Sequence, residues 1–128
     1  MKTAFLAGLG VLSMAACDVG AGDPATIPEG MQGRWGLVAA DCEPGRDDAK
    51  GLMTVGATTL AFYESRAALG AVEDRGADRI TADFAFSGEG QTWSRTIALR
   101  LTEGGARLVR EDAGNDPEAL KVTYLRCP

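Results

Sequence analysis

Two adjoining stretches of apolar–polar alternation confine this chain to β-structure. Ile80, Ala82, Phe84 and Phe86 alternate with Arg79, Thr81, Asp83 and Ala85. Trp93, Ile97, Leu99 and Leu101 then alternate with Ser94, Thr96, Ala98, Arg100 and Thr102. A period of two places one set of side chains on each face of a strand, as in a half-buried sheet. Ser87-Gly88-Glu89-Gly90-Gln91 between them supplies the glycines of a hairpin, and Glu103-Gly104-Gly105 ends the second strand in the same way. Val55-Gly56-Ala57-Thr58 reads as a further two-residue, glycine-first hairpin.

Shorter strand candidates are Arg34–Ala39, Leu52–Val55, Thr59–Glu64, Leu69–Glu73, Arg107–Glu111 and Leu120–Arg126. Helical spacing is nearly absent. The exceptions are Arg66–Leu69, which fits a helical turn, the polar loop Asp41–Lys50, and Asp116–Ala119, with Pro117 at a helix start. About eight short strands joined by sequential hairpins predict an all-β fold: a small antiparallel meander, closed or nearly closed into a barrel.

The N-terminus has a separate character. Lys2 precedes an apolar run through Val11-Leu12, followed by small residues, which is the layout of a bacterial secretory signal peptide. The run from Thr3 to Ala16 is shorter than the ~20 residues a membrane span requires. Ser13-Met14-Ala15-Ala16-Cys17 resembles the lipobox of bacterial lipoproteins, with Met14 where that family usually has Leu. The resemblance implies cleavage before Cys17, acylation of Cys17 with palmitate-type chains, and a periplasm-facing protein held in the envelope of a Gram-negative bacterium. Asp18 resembles an inner-membrane retention signal of enteric bacteria. The competing expectation is plain secretion, with cleavage after Ala15 and Cys17 left as a free thiol. The chain thus divides into a signal peptide (1–16), a lipidated cysteine with a flexible tether (17–30) and a barrel domain (31–128). The Gly- and Pro-rich stretch Asp18–Pro28 spans at most ~35 Å when extended.

Cleavage before Cys17 leaves 112 of the 128 residues, enough for one domain, and removal of Lys2 takes the net charge from −5 to −6. An acidic domain without a basic patch argues against nucleic acid or anionic lipid as a partner. With Cys17 lipidated, Cys42 and Cys127 remain, and an exported domain oxidises such a pair to a disulfide. In an eight-strand meander the first and last strands are antiparallel neighbours, which brings Cys127 near Trp35 and leaves Cys42 ~20 Å away along the strand. Since a disulfide needs Cα atoms within ~7 Å, either the chain after Ala40 folds back or the strand count is odd and closure is parallel.

Gly33-Arg34-Trp35, with the late Arg126, resembles the Gly-x-Trp of lipocalin-type barrels, in which a late Arg packs across the Trp. The plan of lipobox, small acidic β domain and C-terminal Cys pair is similar to periplasmic lysozyme-inhibitor and metalloprotease-inhibitor lipoproteins. These resemblances imply a barrel that binds a macromolecule or, in the lipocalin case, a small apolar ligand.

The chain has no histidine. That removes the commonest general base and the usual Ser-His-Asp, Cys-His and most zinc arrangements. Lys50 and Lys121, the only lysines after the signal segment, have no serine partner in a recognisable motif. The acidic loop Asp41, Glu43, Asp47, Asp48 lacks the spacing of a calcium loop. No catalytic, cofactor or metal residues are expected. Tyr63, Glu64 and Arg66 stand out as a candidate binding surface: Leu60 and Phe62 face the core, leaving Tyr63 outside, and Tyr and Arg are favoured interface anchors. The expected function is a non-enzymatic envelope module that binds another protein, in its sharpest form an inhibitor of a lysozyme-like or protease-like enzyme. The alternatives are a lipocalin-type ligand binder and an envelope structural protein.

Overall fold

A computed structural model describes Gly10, residues 26–113 and residues 120–128. Cys17, the rest of the signal segment, most of the tether and Asp116–Ala119 lie outside the described residues. Eight strands form a closed antiparallel barrel in simple sequential order. They are β1 (Gly33–Gly36), β2 (Met53–Val55), β3 (Thr59–Phe62), β4 (Ser65–Gly76), β5 (Arg79–Gly88), β6 (Gln91–Thr102), β7 (Arg107–Ala113) and β8 (Lys121–Arg126). Closure is antiparallel, with Trp35 opposite Arg126 and Gly36 opposite Leu125. Among the described residues no helix is long and apolar enough to cross a membrane.

β5 carries the alternation expected of it: Ile80, Ala82, Phe84 and Phe86 are buried, and they pack with Trp35, Met53, Leu60, Ile97, Leu99 and Leu108 in one core. Ser65–Gly70, which sequence spacing also allowed as a helical turn, is instead the start of the long strand β4. Two register shifts in β4, between Leu69 and Val72 and between Val72 and Asp74, insert extra residues against β5. Such bulges bend and twist a strand, which lets a narrow barrel turn its corner. Gly70 sits at the first of them, where a Cβ would stand 3.0 Å from the carbonyl oxygen of Asp83.

The base of the barrel is plugged by the segment before β1. Ile27 and Met31 are fully buried. Ile27 N–H donates to the Ala57 carbonyl in the β2–β3 turn (2.7 Å), and Arg75 Nε donates to Thr26 O (2.7 Å). The packed unit therefore reaches back to Ile27, into the stretch read from sequence as tether. Arg126 lies 4.2 Å over the Trp35 ring, the contact implied by the resemblance to lipocalin-type barrels. Trp35 Nε1 donates to Met31 O (2.8 Å), so the buried indole N–H is satisfied.

The disulfide joins Cys42 and Cys127, with Cα atoms 5.2 Å apart. The strand count is even, and the chain after β1 folds back. A short 3₁₀ turn, Ala39–Cys42, lays the β1–β2 connection along the outer wall, where Cys42, Ala49, Leu52 and Cys127 form a second small core. The Asp41 carboxylate accepts from the N–H groups of Leu37 (3.0 Å) and Val38 (3.1 Å) and fixes the reversal. Gly36 makes room for it: a Cβ there would lie 2.8 Å from Val38 O and 3.0 Å from Cys42 Sγ. Gly36→Ala is expected to push the connection off the wall at a cost of ~1–3 kcal/mol, typical of overpacking. A lowered urea midpoint at unchanged slope checks this.

Candidate functional site

In a sequential barrel, connections β1–β2, β3–β4, β5–β6 and β7–β8 share the end opposite the N-terminal plug. Two tight hairpins dominate that end. Phe62 pairs with Ser65, leaving Tyr63-Glu64 as the β3–β4 turn, and Gly88 pairs with Gln91, leaving Glu89-Gly90 as the β5–β6 turn. Glu64 (φ 63°), Glu89 (φ 49°) and Gly90 (φ 77°) adopt left-handed backbone. Left-handed angles at both positions of the second turn match the twist of a two-residue hairpin. A glutamate in that region costs ~1–2 kcal/mol relative to right-handed backbone. The two tips are in backbone contact across Gly88, where a Cβ would stand 2.5 Å from Glu64 O.

Of the three residues singled out from sequence, Tyr63 and Glu64 share one turn. Arg66 lies on the outer wall and adjoins Glu64: the two, with Ala61, Phe62 and Ser87, line a shallow depression of about 390 Å³. On the other side of the turn, Tyr63, Glu64, Ser65, Glu89, Gln91 and Trp93 surround a hollow of about 210 Å³. The alternation points Trp93 inward, and its ring stacks on Phe86 at 5.4 Å and packs against the core, half-buried near the rim because β6 begins only two residues earlier. Glu64 and Glu89, two carboxylates that the sequence leaves free to meet if their hairpins adjoin, both line this hollow.

Glu64, Asp48 and Glu89 surround Tyr63. The Glu64 carboxylate, first by its charge and then by a hydrogen bond, holds the Tyr63 phenol above its ordinary value. Slight burial, Asp48 and Glu89 act in the same direction. Lys50, from the folded-back connection, places its ammonium 5.9 Å from the Tyr63 ring centroid. The exposed large apolar side chains among the described residues, Leu37, Val38, Tyr63 and Leu120, all fall in connections that leave the barrel at this end.

Below the rim the interior is filled. Phe62, Phe86 and Trp93 stack in a row, with centroids 5.8 and 5.4 Å apart. Arg110 covers Phe62 at 4.9 Å. Arg110 and Asp112 follow Leu108 on the inward face of β7 and form a two-pronged pair, Nε–Oδ1 2.8 Å and Nη2–Oδ2 3.0 Å. Arg95 Nε stands 3.9 Å from Asp112 Oδ2 at the rim. Burial works to lower the Arg110 guanidinium, and the hydrogen bonds and charge of Asp112 outweigh it, leaving the group above its ordinary value. Sequence reasoning missed this pair, although the strand phase from Leu108 already points both side chains inward.

Burial raises the Tyr124 phenol; Arg110 pulls it down through charge and a hydrogen bond, while Asp112 and Asp41 add to the rise. Between the unfolded value near 10 and the higher folded one, the folded chain holds a proton that the unfolded chain has lost. The stability linked to Tyr124 is therefore complete below pH ~10 and declines as pH rises further. Melting temperatures measured between pH 9 and pH 11 should fall less steeply in Tyr124→Phe than in the parent protein.

Among the described residues no group of three His, Cys, Asp or Glu side chains is placed to hold a metal ion. No family model, curated protein or solved structure matches this chain.

Proposed function

We propose that this protein is a non-enzymatic binding module of the bacterial cell envelope, anchored through lipid on Cys17 and facing the periplasm. In this reading the end of the barrel formed by the Tyr63-Glu64 and Glu89-Gly90 turns engages another envelope protein. Its sharpest form is inhibition of a lysozyme-like or protease-like enzyme. The carrying observation is the distribution of exposed apolar side chains: Leu37, Val38, Tyr63 and Leu120 all leave the barrel opposite the N-terminal plug. Exposed apolar groups on the connections of one end make that end the candidate interaction surface. A chain tethered through Thr26 at the base presents that end away from the membrane.

Two further facts support a surface in place of an enclosed cavity or a catalytic cleft. The core side chains Trp35, Phe84, Leu60 and Leu99 occupy the interior at essentially zero exposure. The chain also lacks histidine, the usual proton carrier of small hydrolytic sites. Capture experiments with the mature protein in periplasmic extract, combined with inhibition assays on lysozyme and secreted proteases, test the proposal. A specific envelope partner competed by the parent protein is expected. Neither partner nor inhibition would remove the reading. Membrane retention and processing that survive Cys17→Ser would remove the anchor.

A further inference from the structure

We infer that the hollow between the two hairpin tips receives a cationic side chain, lysine or arginine, of a protein partner; the inference rests on the reading of this end as the binding surface. The hollow, about 210 Å³, is lined by two aromatic rings, Tyr63 and Trp93, and two carboxylates, Glu64 and Glu89. Aromatic faces attract ammonium and guanidinium groups through the ring quadrupole, and carboxylates add a charge-assisted hydrogen bond. An anionic group meets like charge there. A neutral apolar side chain strips water from the carboxylates and returns no partner.

Lys50 Nζ, which is not part of the hollow's lining, stands 5.9 Å from the Tyr63 ring and shows that this ring accepts an ammonium. The platform is also built to keep its shape. β4 pairs with β5 as far as Arg66 and Ser87, just below the tips, and Gly88 lets the Glu64 carbonyl approach so closely that any Cβ there would collide with it. A preformed site avoids the ordering cost that weakens binding by loose loops. The negative potential that holds Tyr63 above its ordinary value is the field an incoming cation meets.

The chain's two tryptophans separate the signal, since Trp35 is fully buried and Trp93 is half-buried and lines the hollow. The test titrates the mature protein with tri-lysine and tri-arginine, using triglycine and tri-glutamate as controls, and follows tryptophan emission. Saturable change with the cationic peptides alone is expected. Glu64→Gln with Glu89→Gln should weaken it at least tenfold, and 0.5 M salt should weaken it further, at about the scale expected for partly screened charges. Glu103→Gln, a left-handed glutamate at the opposite end, should leave it unchanged. No response to the cationic peptides, an equal response to tri-glutamate, or undiminished binding by the double variant would overturn the inference. Capture from periplasmic extract with the double variant separates the two levels. A partner held equally by parent and double variant removes the cation site and leaves the binding module standing. Saturable tri-lysine binding with no envelope partner does the reverse.

Discussion

Asp112→Ala is expected to lower the stability of the barrel by ~3–5 kcal/mol, the loss typical of breaking a buried ion pair by removing one partner. Asp112 is 6% exposed and Arg110 7%. Without the carboxylate, Arg110 remains pointed into the barrel with its charge uncompensated, held there by Phe62 beneath it. Arg95, half in solvent, adds a second cation and no acceptor. The large figure thus reflects a stranded charge more than the worth of the pair. Exchanging both members for apolar residues of similar volume, Arg110→Met with Asp112→Leu, is therefore expected to recover most of the loss. Urea unfolding followed by tryptophan emission measures all three proteins. A double variant no more stable than Asp112→Ala would show that the pair does more than neutralise itself.

Loss of the disulfide should have the next largest effect. Cys42→Ser with Cys127→Ser is expected to remove ~2–4 kcal/mol, the usual range for a bridge closing a long loop. The bridge spans a sequence separation of 85 and encloses nearly the whole barrel. It also pins the β1–β2 connection to the wall, because Cys42, Ala49 and Leu52 form a core only with Cys127 and Leu125 beneath them. Lys50 belongs to that connection, so the double serine variant should also loosen the ammonium beside Tyr63. The expected readout is a lower urea midpoint together with proteolytic nicking confined to residues 37–52. Nicking spread evenly over the barrel would show that the bridge does not act locally.

The β5–β6 hairpin was legible because its alternation is long, broken on the inward face only by Arg95, and its turn carries a glycine, Gly90, at one of its two left-handed positions. The observed strands extend the expected ones only at the turn, to Gly88 and back to Gln91. β4 was obscure for the opposite reason. Its two bulges shift the phase between Leu69, Val72 and Asp74, so no single period runs through Ser65–Gly76, and the local run Arg66–Leu69 imitates a helix. The cysteine pair was legible by residue type and compartment. The way it closes was not, because the fold-back of Ala39–Cys42 depends on Asp41 reaching two backbone N–H groups and on Gly36 offering no side chain.

The tip was half visible. Tyr63 and Glu64 could be picked out by their exposure after an inward Phe62. Glu89 and Trp93 lie 25 to 30 residues away and join them through the registers of β4 on β5 and β5 on β6. Arg66, adjacent in sequence, is carried to the outer wall by the β4–β5 register. Strand pairing, which sequence distance does not show, is what adds Glu89 and Trp93 to the tip.

The account stands most directly on which end of the barrel meets a partner. A photo-crosslinking amino acid placed at Glu89, on the tip, or at Asp78, in the β4–β5 turn at the base, reads this in living cells with the full-length, processed protein. The account predicts a discrete adduct with an envelope protein from position 89 and none from position 78. Adducts from position 78 in place of position 89, or from neither, would contradict it.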